Sequence, residues 1–244
     1  MRRLSGFLAA AASVLFILCA LLTAVDLCCF DLDFYDSEYR KLDTARTIGI
    51  GHTGLMTVTD ALLDYTRGGA EELDVQAETN GHHVAVFNER EVAHMADVRS
   101  LYTAAMTVRN LGLALCVLLF AVSLFIFKKE RLRRISKCYF VGAVVCLVLF
   151  GAAVLWAGID FNSFWTAFHQ LFFTNDLWQL DSSSSVLINM VPAQFFYDLV
   201  MRIVRMFAVF VGVPLLLALG YLVYHRIRRR SLLVIPEKGE SDAK

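Results

Sequence analysis

His94 has the neighbours that most invite a chemical reading: Arg90 precedes it by four positions, Glu91 by three, and Asp97 follows it by three. On a helix these separations put all four side chains on one face, a charged stripe around a single titratable imidazole. Such a stripe also has an ordinary explanation. A solvated helix start would have Asn88 and Glu91 closing a reciprocal capping box, Arg90 paired with a carboxylate and His94 exposed. His169 is set differently. Phe161, Phe164, Trp165, Phe168 and Phe172 recur at separations of three and four, and His169 lies at the edge of the aromatic face they make. An imidazole there would sit at the depth of lipid headgroups and ester linkages, or be a polar tip snorkelling at the interface. If the two rings meet, two imidazoles and a carboxylate could supply proton transfer at neutral pH.

Other groups offer less. His82 and His83 alternate faces on an expected strand with no metal-ligand spacing, His52 lies in a glycine-flanked loop with no partner nearby in sequence, and His225 is set among arginines. Glu91 and His94 form one half of a carboxylate-bridged metal motif, but the second matching pair such sites need is absent. HExxH, GxSxG and the P-loop are also absent, which argues against a zinc protease, an ordinary serine hydrolase and an ATP-driven pump. Of six cysteines, Cys19, Cys116, Cys138 and Cys146 fall within or at the edge of apolar runs and Cys28 and Cys29 are adjacent, so no disulfide framework or metal site is expected.

The elements that must position these residues are membrane helices. Hydrophobic residues make up 57% of 244, too many for an ordinary soluble domain. Apolar runs at 4–25, 111–127, 139–157 and 206–224 are each close to the ~20 residues that span a bilayer as a helix. Net charge is zero but segregated. Arg2 and Arg3 precede the first run, Lys128, Lys129, Arg131, Arg133, Arg134 and Lys137 separate the second from the third, and Arg226, Arg228, Arg229 and Arg230 follow the fourth. These clusters predict a cytoplasmic face and place both termini there. The intervening parts hold 19 of the 23 acidic residues and few basic ones, leaving no basic patch for nucleic acid. The expected division is a first span at 1–25, an external segment at 26–107, a second span at 108–127, a cytoplasmic loop at 128–138, a third span at 139–157, an external aromatic segment at 158–202, a fourth span at 203–225 and a cytoplasmic tail at 226–244. The first run is longer than the ~7–15 residues of a signal-peptide core and so reads as a span.

The first external segment is small for a core of its own, so it should pack on the membrane and on the second. Within it, 55–66 reads as an amphipathic helix stopped by Gly68-Gly69, and 73–79 and 82–87 as strands joined at Asn80-Gly81. A helix starting near Asn88 should run on into the second span. Residues 175–185, including four consecutive serines, read as loop before an aromatic helix holding Phe195, Phe196 and Tyr197. The fold class expected is an α-helical membrane protein, four transmembrane helices with a small α+β extracytoplasmic cap containing a hairpin.

Two stretches, FNEREVAHMADV at 87–98 and FHQLFFTNDLWQL at 168–180, continued by Leu187-Ile188 and by Pro192, Phe195 and Phe196, resemble the lipoprotein intramolecular transacylase family of bacterial integral membrane proteins. One departure is visible: where that family commonly has Asp-Pro and a further Asp, this chain follows Asp181 with serines. The resemblance implies movement of an acyl chain from the sn-2 glyceryl ester of a diacylglyceryl-modified lipoprotein to the α-amine of its own N-terminal cysteine. It implies that His94 and His169 are the catalytic histidine dyad, that Asn88, Arg90, Glu91, Asp97, Asn175, Asp176 and Trp178 bind or orient the substrate or the dyad, and that the site faces outward from a bacterial cell membrane. The partners it implies are lipoproteins and membrane lipid, with no nucleotide, nucleic acid, metal or cofactor. Two rival readings are a non-catalytic protein that binds or escorts lipoproteins, and a metallohydrolase built on Glu91, His94 and His169.

Overall fold

Four helices of this computed structural model, which describes residues 2–79, 82–127 and 131–233, are long and apolar enough to cross a membrane. They are α1 (Arg2–Cys29), α5 (Glu89–Phe127), α6 (Arg131–Ile159) and α9 (Ala193–Leu233). Between α1 and α5 come α2 (Leu32–Lys41), α3 (Thr44–Ile48), α4 (His52–Arg67) and the strands β1 (Gln76–Thr79) and β2 (His82–Ala85). Between α6 and α9 come α7 (Phe161–Phe172) and α8 (Val186–Met190).

Of the four long helices, α1 and α6 each pack against the other three. Small residues let their backbones approach, which is how helices associate where lipid removes the hydrophobic drive. Ala20, Ala24 and Ile17 of α1 meet Tyr139 and Ala143 of α6 and Phe207 and Val211 of α9, and the Tyr139 hydroxyl donates to the Val211 carbonyl at 2.9 Å. At Gly112 of α5 a Cβ would come within 2.8 Å of Cys19 Sγ, so only glycine permits this contact. The end of α1 is tied to α5 by charge: Asp26 accepts from Arg109 at 2.5 Å and from Tyr102 at 2.8 Å, while Arg67 of α4 approaches it at 3.4 Å.

With 39 residues, α5 is ~58 Å long, nearly twice the ~30 Å of a hydrocarbon core. Residues 108–127 alone match that thickness, and His94 lies near the other end of the helix, beside the cap. The cap has one core drawn from both intervening segments: Tyr39, Leu55, Val58 and Leu62 pack with Leu187, Met190, Phe195 and Leu199. Phe195 is fully buried, with ring centroids at 5.3 Å from Phe34, 5.0 Å from Tyr35 and 6.0 Å from Tyr39. Ion pairs bind the same two segments, Lys41 with Asp198 at 2.7 Å and Arg202 with Asp31.

The expected α+β cap needs correction, because the layer is helical. β1 and β2 pair antiparallel from Gln76 opposite Ala85 to Thr79 opposite His82, but a ribbon of four-residue strands cannot build a core face. The turn expected at Asn80-Gly81 lies outside the described residues. The helix expected at 55–66 is α4, and Gly68 ends it at φ 87°, a conformation costly for any residue with a Cβ. Residues 32–48, unassigned from sequence, form α2 and α3. Asp31 caps α2 by accepting from the Asp33 amide, and Arg40 and Lys41 close it.

Candidate active site

Glu89 opens α5, and its first turns are fixed by a capping box. Asn88 Oδ1 accepts from the Glu91 amide at 3.0 Å while Glu91 Oε2 accepts from the Asn88 amide at 2.6 Å. The helix thus starts at a defined residue, and the rotation of His94 one turn later follows from it. The box is not, however, on a solvated surface. Glu91 is 1% exposed, and its Oε1 takes the Ser185 hydroxyl at 2.6 Å and the Leu187 amide at 2.7 Å. One carboxylate therefore caps α5 and the start of α8 together.

His169 comes from the last turn of α7, which begins where Asp160 accepts from the Ser163 amide. The His94 and His169 rings lie 6.1 Å apart between centroids, inclined by 34°. Phe173 presents its edge to His94 at 5.4 Å and lies 5.7 Å from His169. Trp178 stacks on His169 at 4.8 Å, and Trp165 meets it edge to face at 4.9 Å. Both imidazoles are 8% exposed, so neither the exposed stripe nor the snorkelling tip describes them.

The two rings are held differently. His169 Nδ1 lies 2.8 Å from the Trp165 carbonyl, which can only accept, so Nδ1 carries the proton and Nε2 keeps a free lone pair. His94 Nδ1 is buried and has no hydrogen-bond partner. Burial pushes the His94 pKa down to about 4, helped by the proximity of His169 and opposed by Asp97. Burial also lowers that of His169, opposed by its bond to the Trp165 carbonyl. Both rings are neutral at pH 7, the state in which an imidazole can accept a proton.

Each remaining residue expected at the site lies where α5 meets the 173–185 loop. Arg90 donates to the Asp176 carbonyl oxygen and lies 3.4 Å from the Asp176 carboxylate. Asn175 donates to Asp97 at 2.8 Å and accepts from the Leu177 amide, and Trp178 donates to the Asn175 carbonyl at 3.0 Å. The serines after Asp181 are ordered by it: Ser183 donates through amide and hydroxyl to its carboxylate, and the Ser184 and Ser185 amides donate to its carbonyl. Sequence reading passed over Ser185, whose one signal was its place before the apolar run of α8, where it accepts from the Ile188 amide. It also passed over Phe173, a buried ring in contact with both imidazoles. Away from the site, His52 has a partner distant in sequence, Asp36, at 2.6 Å. The side chains of His82 and His83 lie outside the description. Among the described residues no three His, Cys, Asp or Glu side chains are grouped to hold a metal, and both Glu91 oxygens face donors.

A pH effect on stability follows from the displaced imidazoles. Between pH 7 and 5 the unfolded chain protonates His94 while the folded chain does not, so stability falls with pH over that window and is flat above it, by about 2 kcal/mol for this residue. His169 acts in the same direction. Thermal unfolding in detergent should give a lower midpoint at pH 5 than at pH 7.5, and a smaller difference in His94→Asn.

Comparison with known proteins bears on what such a site does. The family model described as lipoprotein intramolecular transacylase Lit matches residues 10–196. No curated protein sequence matches. Among solved structures, an in meso structure of the membrane integral lipoprotein intramolecular transacylase Lit from Bacillus cereus is similar at 18% identity, with a TM-score of 0.74 over 93% of this chain and 100% of that one. A histidine-to-arginine variant of the same protein is similar at 17% identity and a TM-score of 0.65, over 93% of this chain and 94% of that one. A histidine-to-alanine variant gives 18% and 0.64, over 94% and 95%.

Proposed function

Given that this chain belongs to the lipoprotein intramolecular transacylase family, we propose that it moves the sn-2 acyl chain of a diacylglyceryl-modified lipoprotein to the α-amine of that lipoprotein's N-terminal cysteine, leaving a lyso-form product. The observation that carries this reading is the pair of buried imidazoles 6.1 Å apart beside the bundle of four long apolar helices. By the distribution of basic clusters the cap lies on the extracytoplasmic side, where the lipid-modified end of a lipoprotein resides.

In this reading His169 Nε2, its tautomer set by the Trp165 carbonyl, takes a proton from the amine as nitrogen attacks the ester carbonyl. The new bond is C–N and the bond lost is the ester C–O. The imidazolium returns its proton to the departing glyceryl oxygen, so His169 ends as it began. His94 donates its ring N–H to the carbonyl oxygen as negative charge gathers there. Nucleophile and electrophile belong to one molecule, and holding them in register is worth about 7–11 kcal/mol in favourable cases. Ester-to-amide transfer runs downhill, so no nucleotide is called for.

Expression in a host without any amine-acylating enzyme, followed by mass spectrometry of a lipoprotein's N-terminal peptide, tests this. The expected product is N-acyl, S-monoacylglyceryl cysteine, at unchanged total acyl mass. A peptide that stays diacylated with a free amine would reject catalysis and leave a binding role.

A further inference from the structure

Asp97 stands one turn beyond His94 on the same face of α5, partly buried and near enough for its charge to act on the imidazole. It accepts one hydrogen bond, from Asn175, and among the described residues it makes no ion pair. The two arginines of that stretch of α5 are engaged elsewhere. Arg90 is held by Asp176, and Arg99 donates to the Glu71 carbonyl and lies over the Tyr65 ring. A carboxylate without a counter-ion therefore adjoins the His94 imidazole. The second observation is independent: His94 Nδ1, in a ring 8% exposed, has no hydrogen-bond partner, although buried polar atoms are nearly always paired. A carboxylate lacking a cation and a ring nitrogen lacking a partner, on successive turns, are both met by a compact cation bearing several N–H donors.

The geometry points to Asp97 as the docking group for the α-ammonium of the substrate's N-terminal cysteine, with Asn175 holding the carboxylate in place. The inference rests on the transacylase reading and adds a subsite to it. An α-amine has a pKa of about 8 and arrives charged at neutral pH. The reaction converts it to a neutral amide, with an alcohol and one proton as the other products. The carboxylate thus attracts the substrate and has no such hold on the product, so the same residue that recruits the lipoprotein favours its release.

The test compares binding of two synthetic lipopeptides, a diacylglyceryl-cysteinyl peptide with a free amine and its N-acetyl counterpart, to the full-length protein in nanodiscs. The His169→Ala background prevents turnover. Free amine is expected to bind about tenfold more tightly than the N-acetyl form, a typical margin for a charge-assisted hydrogen bond in a partly wet site. Adding Asp97→Asn, which can still accept from Asn175, should bring the two affinities together by weakening only the free amine. Unchanged binding of the N-acetyl form reports that the variant is folded. Asp97→Glu, which restores the charge, should regain part of the preference. No preference in the parent, or a preference that survives Asp97→Asn, overturns the docking role. If neither lipopeptide binds better than the same peptide without lipid, the transacylase reading fails with it, which is a different outcome.

Discussion

Alanine at either His94 or His169 is expected to lower conversion of diacylglyceryl lipoprotein at least about a thousandfold, within the ~10²–10⁴ that general acid–base groups supply, while the protein remains in the membrane. The two losses have different physical content. At position 169 alanine removes the base and also the donor to the Trp165 carbonyl, and it leaves space between Trp165 and Trp178. His169→Asn separates these effects, because its side-chain amide can still donate to the Trp165 carbonyl but has no basic nitrogen. It should be as inactive as alanine. At position 94 the ring makes no hydrogen bond through Nδ1, so its removal costs packing against Phe173 rather than a bond. His94→Ala should therefore fold well and still not turn over. The measurement is the fraction of N-acylated N-terminal peptide at fixed enzyme concentration and time. More than a few per cent of parent activity in either alanine variant would argue against the dyad.

Glu91→Ala carries the second large effect, on stability. The carboxylate is almost fully buried and accepts from the Asn88 amide, the Ser185 hydroxyl and the Leu187 amide. Alanine leaves three donors without an acceptor, two of them buried, and this costs about 3 kcal/mol once the access of water to the Asn88 amide is allowed for. For a chain of this length that is about 10 °C in the unfolding midpoint. Glutamine is no remedy, because its NH2 must point at one of those N–H donors. Ser185→Ala, which loses one bond of the set, should cost about 1 kcal/mol. Unfolding followed by tryptophan fluorescence can rank these variants, since Trp178 lies on the loop that Glu91 secures. A Glu91→Ala protein as stable as the parent would mean that the capping box and the loop hold without it.

How much of this was legible in the sequence depends on the range over which the physics acts. The spans were plain because lipid imposes a length and a composition on any helix that crosses it. The capping box was plain because Asn88 and Glu91 act on each other within one turn. The stripe around His94 and the aromatic face around His169 could each be drawn as a helical face. Their convergence came from the argument that neither intervening segment could bury a core alone, and from the family resemblance; the shared core of Tyr39, Leu55, Leu187 and Phe195 is the reason that argument held. Burial was misjudged for the same cause: a charged stripe predicts solvent until another segment covers it. Glu91 shows this most clearly, since nothing local distinguishes a cap facing water from one facing Ser185. Helix α2 was missed because its apolar positions are few and mostly aromatic, and what fixes it is tertiary contact with Phe195 and ion pairs to Asp198 and Arg202; α3, at five residues, is too short to show a period.

Because α5 runs unbroken from the cap through the bundle, the position of His94 over the four long helices is a property of a rigid rod. That rod is clamped to its neighbour where Gly112 meets Cys19 and where Arg109 meets Asp26. His94 stands 18 residues above that clamp, ~27 Å along the axis, so a lean of ~5° about it carries the ring sideways by ~2 Å. The companion imidazole sits on a separate short helix, but the loop that leaves this helix is bound to α5 by Arg90 with Asp176, Asn175 with Asp97 and Ser185 with Glu91. Thickening or thinning the surrounding bilayer, which long helices answer by leaning, is therefore expected to carry the pair as a unit, leaving the spacing of the two rings unchanged while these ties hold.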